Sequence, residues 1–299
     1  FMSIIAKLYR TLIPESIRWK VIHFKRKQEE SKIKNTILQY YKKSPTNDPE
    51  INEALDFLKT NDLSVFPYPF FLKYIQKPIE VIIDTKNGFP YVMHFGKKLY
   101  FKKNWTHEHI VDAYRFLLAE QDEQSGHCYL TGDYTIVPGS VIVDVGAAEG
   151  IFALHEIENV KHIYLIETDL EWIEALKLTY KPWADKITII NKFVSDKDDE
   201  RNVRLDTYFS TSEKIDLLKI DVDGAEQDLL NGADRTVSDK VNKLAICTYH
   251  KTNDNRDFTK YLTSKNYTLS NSKGYMLFYF DPNFEAPYFR RGLIKAQKN

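Results

Sequence analysis

From about residue 135 the chain alternates apolar strand-like runs with helical ones, and this alternation constrains the fold more than any other feature. "SVIVDVG" (140–146) leads into "EGIFALHEIEN", and "HIYLIET" (162–168) leads into "LEWIEALKLTYKPW". Then come "KITIINKFVSD", "IDLLKIDVD", the helical "AEQDLLNGADRTV" and "KLAICTYH" (243–250). Strands alternating with helices of about ten or more residues predict a parallel sheet with helices on both faces. The apolar, β-branched runs 141–145, 162–166 and 244–248 fit strands buried on both sides. A helix is expected around 255–265. A final strand pair over "YTLSNSKGYMLFYF", turning near Asn271–Gly274, is expected to close the sheet in the antiparallel sense.

The front of the chain reads differently. Residues 3–43 carry helical apolar spacing, broken at Pro14, and "INEALDFLKTN" reads as a further helix. "PIEVIIDTKNGFPYVMHFGKKLYFKK" reads as two or three antiparallel strands, with Asn87-Gly88 and Gly96 at the turns. "WTHEHIVDAYRFLLAEQD" reads as a helix capped by Thr106. The pattern therefore divides the chain into a helical and hairpin region, 1–125, and an α/β domain, 126–299.

Net charge is zero over 299 residues, so the chain as a whole has no general attraction to nucleic acid. The charge is unevenly spread. Residues 1–43 hold eleven Lys and Arg against three Glu, making that stretch +8 and the rest −8. Such a front suits either a solvated basic helix or a peripheral contact with an anionic membrane surface. No apolar run approaches the roughly 20 residues of a membrane span, and Lys7 and Arg10 interrupt the first apolar stretch too early for a signal peptide. Two cysteines, Cys128 and Cys247, make no disulfide framework and point to a reducing, cytoplasmic compartment.

Ligands of such sheets bind outside the carboxyl ends of the strands, where the strand order reverses. "VIVDVGAAEGIFAL" (141–154) places a glycine-bracketed turn, Gly146 to Gly150, at that position on the first strand. A dinucleotide fingerprint requires a further glycine here, in the order G-x-G-x-x-G. This turn has none, and Asp144 and Glu149 flank it. Acids there disfavour a pyrophosphate and suit a ligand with positive charge, such as the ammonium and sulfonium of S-adenosylmethionine. Glu167 ends the second strand, where an acid accepts ribose hydroxyls. That residue alone fits NAD and S-adenosylmethionine equally well. Phe193, Val194 and Ser195 are candidates to pass the adenine.

"VDVGAAEG", "IETD", "LLKIDVDGAEQDLLNGA" and "ICTYH" together resemble the FkbM family of class I S-adenosylmethionine-dependent methyltransferases, over roughly residues 125–280. The resemblance implies a Rossmann-like sheet, mostly parallel with an antiparallel last strand, and S-adenosylmethionine as cofactor. It also implies methyl transfer to an acceptor oxygen. "DEQSGHCYLT" (122–131) and "PYFRRGL" (287–293) are similar to bacterial relatives associated with surface glycans, so a saccharide or glycan-precursor hydroxyl is the implied acceptor. The family often has Asn where Glu149 stands.

The expected cofactor residues are Asp144, Gly146, Ala147, Glu149, Gly150, Glu167, Thr168, Val194, Ser195 and Asp221. A hydroxyl acceptor must lose its proton. His250, at the end of the fifth strand, is the expected general base, because an unperturbed imidazole titrates near neutrality; Asp221, at the end of the fourth strand beside the expected methyl site, is the other expected catalytic residue. Asp221, Asp223, Glu226 and His250 also form a candidate set for a divalent ion, although Glu226 equally suits holding the loop through backbone N–H groups. Lys219 is expected to pair with a nearby acid. Tyr249, Tyr275, Tyr288 and Phe289 are either core or an acceptor-pocket lining, and Arg290 and Arg291 either an anion site or a solvated tail. Two other readings remain open here: a nucleotide-binding oxidoreductase, and a non-catalytic methyltransferase-like docking module.

Overall fold

The computed structural model describes residues 15–132, 134–211 and 214–298, with side chains from residue 24 onward. The expected helical stretch before Pro14 lies outside the described residues. The chain divides into two compact units. One comprises residues 1–68 and 277–289, the other residues 69–276 and 290–299. Residues 69–125, read with the front of the chain on pattern, thus cluster with the α/β sheet.

In the first unit a helix runs Glu15–Lys43 and a second runs Pro49–Thr60. The second is capped by Asp48, whose carboxylate accepts from the N–H groups of Glu50 and Ile51. Ile37, Ala54 and Leu58 are fully buried. Residues 277–289 return to this unit: Leu277 N–H donates to the Val65 carbonyl at 3.0 Å, and the Tyr41 hydroxyl donates to the Pro287 carbonyl at 2.6 Å.

The second unit is built on a seven-stranded sheet. Its strands, in chain order, are β1 (Ser140–Val145), β2 (Val160–Ile166), β3 (Ile187–Ile190), β4 (Ile215–Ile220), β5 (Val241–Cys247), β6 (Tyr267–Asn271) and β7 (Leu293–Lys298). They lie in the order β6-β7-β5-β4-β1-β2-β3. The pairs among β1 to β5 are parallel, and β7 runs antiparallel to both β5 and β6. Helices α1 (Ile151–Glu156), α2 (Leu170–Thr179), α3 (Glu226–Gly232), α4 (Asp234–Asp239) and α5 (Asp254–Ser264) fill the crossovers. Val143, Leu218 and Ile246, on adjacent central strands, are fully buried in one cluster with Leu229, Leu230 and Phe258 from the helices. Each such side chain contributes about 1.5–3 kcal/mol by leaving water.

Two expectations change in detail. "KITIINKFVSD" is not one strand: β3 ends at Ile190, and Phe193–Val194 pairs separately with Asn202–Val203. The terminal hairpin is not formed either. β6 pairs with β7, and Tyr275–Met276 pairs with Arg290–Arg291. The short turn at Asn271–Gly274 mimics a hairpin, but the run Leu293–Ala296, apolar except for Lys295, fills the slot between β5 and β6 with four buried residues. The expected hairpin sheet of the front region is present as Ile82–Ile83, Pro90–His94 and Lys97–Tyr100, all antiparallel.

Candidate functional site

The strand order reverses between β1 and β4, and the site forms at their carboxyl ends. The two tips nearly touch. Gly146 has φ +75°, and a Cβ there would lie 1.7 Å from the Asp221 carbonyl oxygen. Only glycine fits this close approach of two backbones. The Asp221 N–H donates to the Val145 carbonyl at 3.1 Å, so the tips are pinned together.

The acids around the first turn have built-in partners. Asp144 is fully buried and accepts from the Lys219 ammonium at 2.7 Å; Lys219 also donates to the Gly146 carbonyl at 2.8 Å. Burial lowers the lysine's pKa, but the charges of Asp144 and Asp221 outweigh this and raise it, so Lys219 is a cation. The expected pairing of Lys219 is therefore present. The other oxygen of Asp144 has no hydrogen-bond partner among the described residues. Glu149 is buried and accepts from the Ile151 N–H at 3.4 Å, at the start of α1; burial pushes its pKa up to about 7.

Glu167 ties the first two strand tips together. One carboxylate oxygen accepts from the Ala148 N–H at 2.8 Å. The other accepts from the N–H groups of Thr168 at 2.6 Å and Asp169 at 2.8 Å. A carboxylate has about four acceptor positions, so three backbone donors leave one open. Gly150 has φ +81°, and a Cβ there would meet the ends of the Leu176 and Tyr180 side chains. Val194 is buried, Ser195 half-buried and Phe193 57% exposed, so Phe193 presents its ring outward rather than to the core.

Asp221 is the best-connected acid of the site. One oxygen accepts from the Tyr129 hydroxyl at 2.8 Å and lies 3.3 Å from His127 Nε2. The other lies 3.4 Å from the Tyr249 hydroxyl and 3.7 Å from His250 Nε2. Burial pushes the carboxyl up, but the hydrogen bond and charge of His127, with Lys219 and His250, outweigh it and hold Asp221 well below the usual carboxylate range. His127 and Tyr129 were missed in the sequence. They come from a segment outside the strands, and no spacing rule brings residue 127 to residue 221. Cys247, fully buried, lies 3.7 Å from both His127 and Tyr129.

His250 sits among carboxylates. Its Nδ1 is 2.9 Å from Glu226, and its Nε2 is 3.6 Å from Asp223. Burial lowers its pKa, but the hydrogen bonds of Asp223 and Glu226 and the charge of Asp221 raise it to about 10. The expected near-neutral base is thus an imidazolium at pH 7. Glu226, 1% exposed, also accepts from the N–H groups of Val222 and Gly224, which holds the loop as expected.

Asp221, Glu226 and His250 lie close enough together to share a cation, as do His127, Asp221 and Cys247. In the first group the Glu226 oxygen is already engaged by two backbone donors and by His250. Asp223 is fully exposed.

The remaining candidates separate. Tyr249 is in the site. Tyr288 and Phe289 pack on Tyr40 and Tyr41 in the first unit. Arg290 is neither an anion site nor a solvated tail: it is buried and donates to the carbonyls of Tyr249 and His250 at 2.9 and 2.7 Å. Arg291 lies over the Tyr275 ring at 3.8 Å.

A mostly parallel sheet with one antiparallel strand, a glycine turn on β1 and acids at the tips of β2 and β4 define a class I methyltransferase fold. Residues 162–275 match the family model of the methyltransferase FkbM domain. Among solved structures, the chain is similar to methyltransferase FkbM from Methylobacillus flagellatus KT, at 20% identity and a TM-score of 0.46, over 63% of this chain and 51% of that one. The chain thus spans about half the length of that protein. It is also similar to TrmK of M. capricolum in complex with S-adenosyl-homocysteine, at 15% identity and a TM-score of 0.37, over 55% of this chain and 64% of that one. A third is N-methyltransferase NodS from Bradyrhizobium japonicum WM9 with S-adenosyl-l-homocysteine, at 14% identity and a TM-score of 0.37, over 54% and 79%. No curated protein matches the sequence.

Proposed function

We propose that this protein is an S-adenosylmethionine-dependent O-methyltransferase acting on a hydroxyl of a saccharide or glycan precursor. The observation that carries the cofactor reading is the first turn. Gly146 packs against Asp221, and Glu167 reaches back to the Ala148 N–H, leaving the tips of β1, β2 and β4 joined around one place. The residues fit the cofactor: a buried Asp144 oxygen without a partner, an acceptor position left on Glu167, and an outward-facing Phe193. In this reading Gly146, Ala147 and Gly150 line the amino-acid end, Glu167 and Thr168 take the ribose, and Val194 and Ser195 adjoin the adenine. Glu149 caps the helix behind them. S-adenosylmethionine, when bound, supplies the methyl group.

The chain's own residues then position the acceptor. Asp221, kept ionised by His127, Lys219 and His250, holds the Tyr129 hydroxyl and the His250 imidazole around the place of the acceptor oxygen and leaves the acceptor's proton to His250. His250 takes the proton in its neutral form, so the rate rises as pH approaches about 10. The saccharide class rests on the resemblance of residues 122–131 and 287–293.

The test is transfer of labelled methyl from S-adenosylmethionine to a panel of saccharides, with Asp221→Asn alongside. Label in an acid- and base-stable ether that Asp221→Asn reduces by about 100-fold or more supports the reading. Label only in nitrogen acceptors, or none in any acceptor despite cofactor binding, sinks it.

A further inference from the structure

The sheet of the second unit buries two lysines, and they differ in one respect. Lys219, 5% exposed, is paired with Asp144. Lys295 on β7 is 4% exposed and has no carboxylate partner among the described residues. Its ammonium donates to the Thr131 hydroxyl at 2.6 Å and lies 5.8 Å from the centre of the Tyr134 ring. An ammonium has three donors and a full charge. One neutral hydroxyl and a distant ring satisfy neither, and a buried charge is costly without a partner.

Lys295 also lines a cavity of about 440 Å³. The hydroxyls of Ser125, Thr131 and Ser270 and a second cation, Lys273, line it too. Ser125 accepts from the His127 N–H and Thr131 from Lys295, so among the described residues the proton of each hydroxyl remains to be donated. Among the described residues Glu123 is the one acid in the lining, against two lysines.

The cavity is separate from the strand-tip site. Lys295 stands opposite Ala245 on β5, and Cys247, which touches His127 and Tyr129, is two residues further on. Strand geometry makes the Lys295–Cys247 separation roughly 8 Å between Cα atoms.

We propose that this cavity is an anion site for a phosphoryl group, carried by inorganic phosphate or a phosphate monoester, with Lys295 as its buried cation and Lys273 and the three hydroxyls as further donors. A dianion with several acceptor oxygens matches two cations and three hydroxyls; a single carboxylate leaves donors unused. Burial holds the Lys295 pKa below its usual value, and a bound anion reverses that.

The proposal does not depend on methyl transfer. Its test is calorimetric and ³¹P NMR titration of the full chain with inorganic phosphate, a hexose 6-phosphate and acetate at constant ionic strength, using wild type and Lys295→Met. The variant replaces an unpaired buried charge with an apolar side chain of similar length, so it should fold. Expected are saturable phosphate binding to wild type, about tenfold or more weaker binding to Lys295→Met, and no comparable binding of acetate. Tighter binding of the hexose phosphate assigns the ligand as a monoester; equal binding assigns free phosphate. If Lys295→Met does not fold, Thr131→Val and the ammonium ¹H–¹⁵N signal of Lys295 in wild type carry the test, and that signal must shift with phosphate. No saturable phosphate binding, equal binding by Lys295→Met, or an ammonium signal unmoved by phosphate overturns the proposal.

Discussion

Replacing Lys219 with methionine isolates the pair beneath the first turn. The substitution removes the ammonium that Asp144 accepts from at 2.7 Å, together with the bond to the Gly146 carbonyl at 2.8 Å. Asp144 is then a fully buried carboxylate with neither oxygen partnered by Lys219, and its second oxygen already lacks a partner. Breaking a buried pair by removing one member costs about 3–5 kcal/mol. Replacing both members with apolar side chains is far cheaper, so Lys219→Met/Asp144→Leu should lie within about 2 kcal/mol of wild type. The two single variants and the double variant form a cycle, read by urea denaturation of the full chain. The pH dependence has a definite sign. In Lys219→Met the stranded Asp144 has a folded-state pKa above its unfolded value, so the folded state binds the proton more tightly. Its deficit is therefore smaller at pH 5 than at pH 7. A cost below about 1 kcal/mol for Lys219→Met, or a double variant as unstable as the sum of the singles, refutes the reasoning.

Other predictions follow from the same geometry. Gly146→Ala forces a side chain into φ +75° and against the Asp221 carbonyl, so it should cost at least about 2 kcal/mol in chemical denaturation and abolish cofactor binding. Gly150→Ala meets only side-chain ends and should cost less. If His250 is the base, with its pKa raised to about 10, the methyl-transfer rate should climb about tenfold per pH unit from pH 7 until near pH 10; a plateau from pH 7 excludes that role. The same raised pKa stabilises the fold below the unfolded value near 6.5, and this contribution is lost as pH rises through about 10, which thermal melts of wild type and His250→Gln should show. His127→Phe should leave Asp221 with a higher pKa and should lower kcat more than it raises KM, because His127 acts through Asp221.

What was legible in the sequence followed from local chemistry. Alternating strands and helices identified the sheet, and the Gly146–Gly150 turn marked the edge at which its strand order reverses, because both depend on neighbours in the chain. Lys219 announced its need for a partner simply by standing in a buried strand. Glu226 could be read as a loop holder because its targets, Val222 and Gly224, lie two to four residues away. What was not legible depends on long-range encounters. β7 enters the sheet from 22 residues beyond β6, and nothing in the turn at Asn271–Gly274 announces it. His127 and Tyr129 reach Asp221 across 94 and 92 residues. The charge state of His250 depends on three acids around it, whereas its position at the strand end suggested only a free imidazole.

Calorimetric titration of the purified protein with S-adenosylhomocysteine, beside Glu167→Ala and Glu167→Gln and with NAD as the competing ligand, tests the central claim most directly. The account predicts micromolar binding of S-adenosylhomocysteine, weakened by tenfold or more, about 1.4 kcal/mol, in Glu167→Ala, with Glu167→Gln intermediate and no comparable binding of NAD. Absence of S-adenosylhomocysteine binding to the folded wild-type protein, or binding that Glu167→Ala leaves unchanged, contradicts the reading of the β1 and β2 tips as the cofactor site.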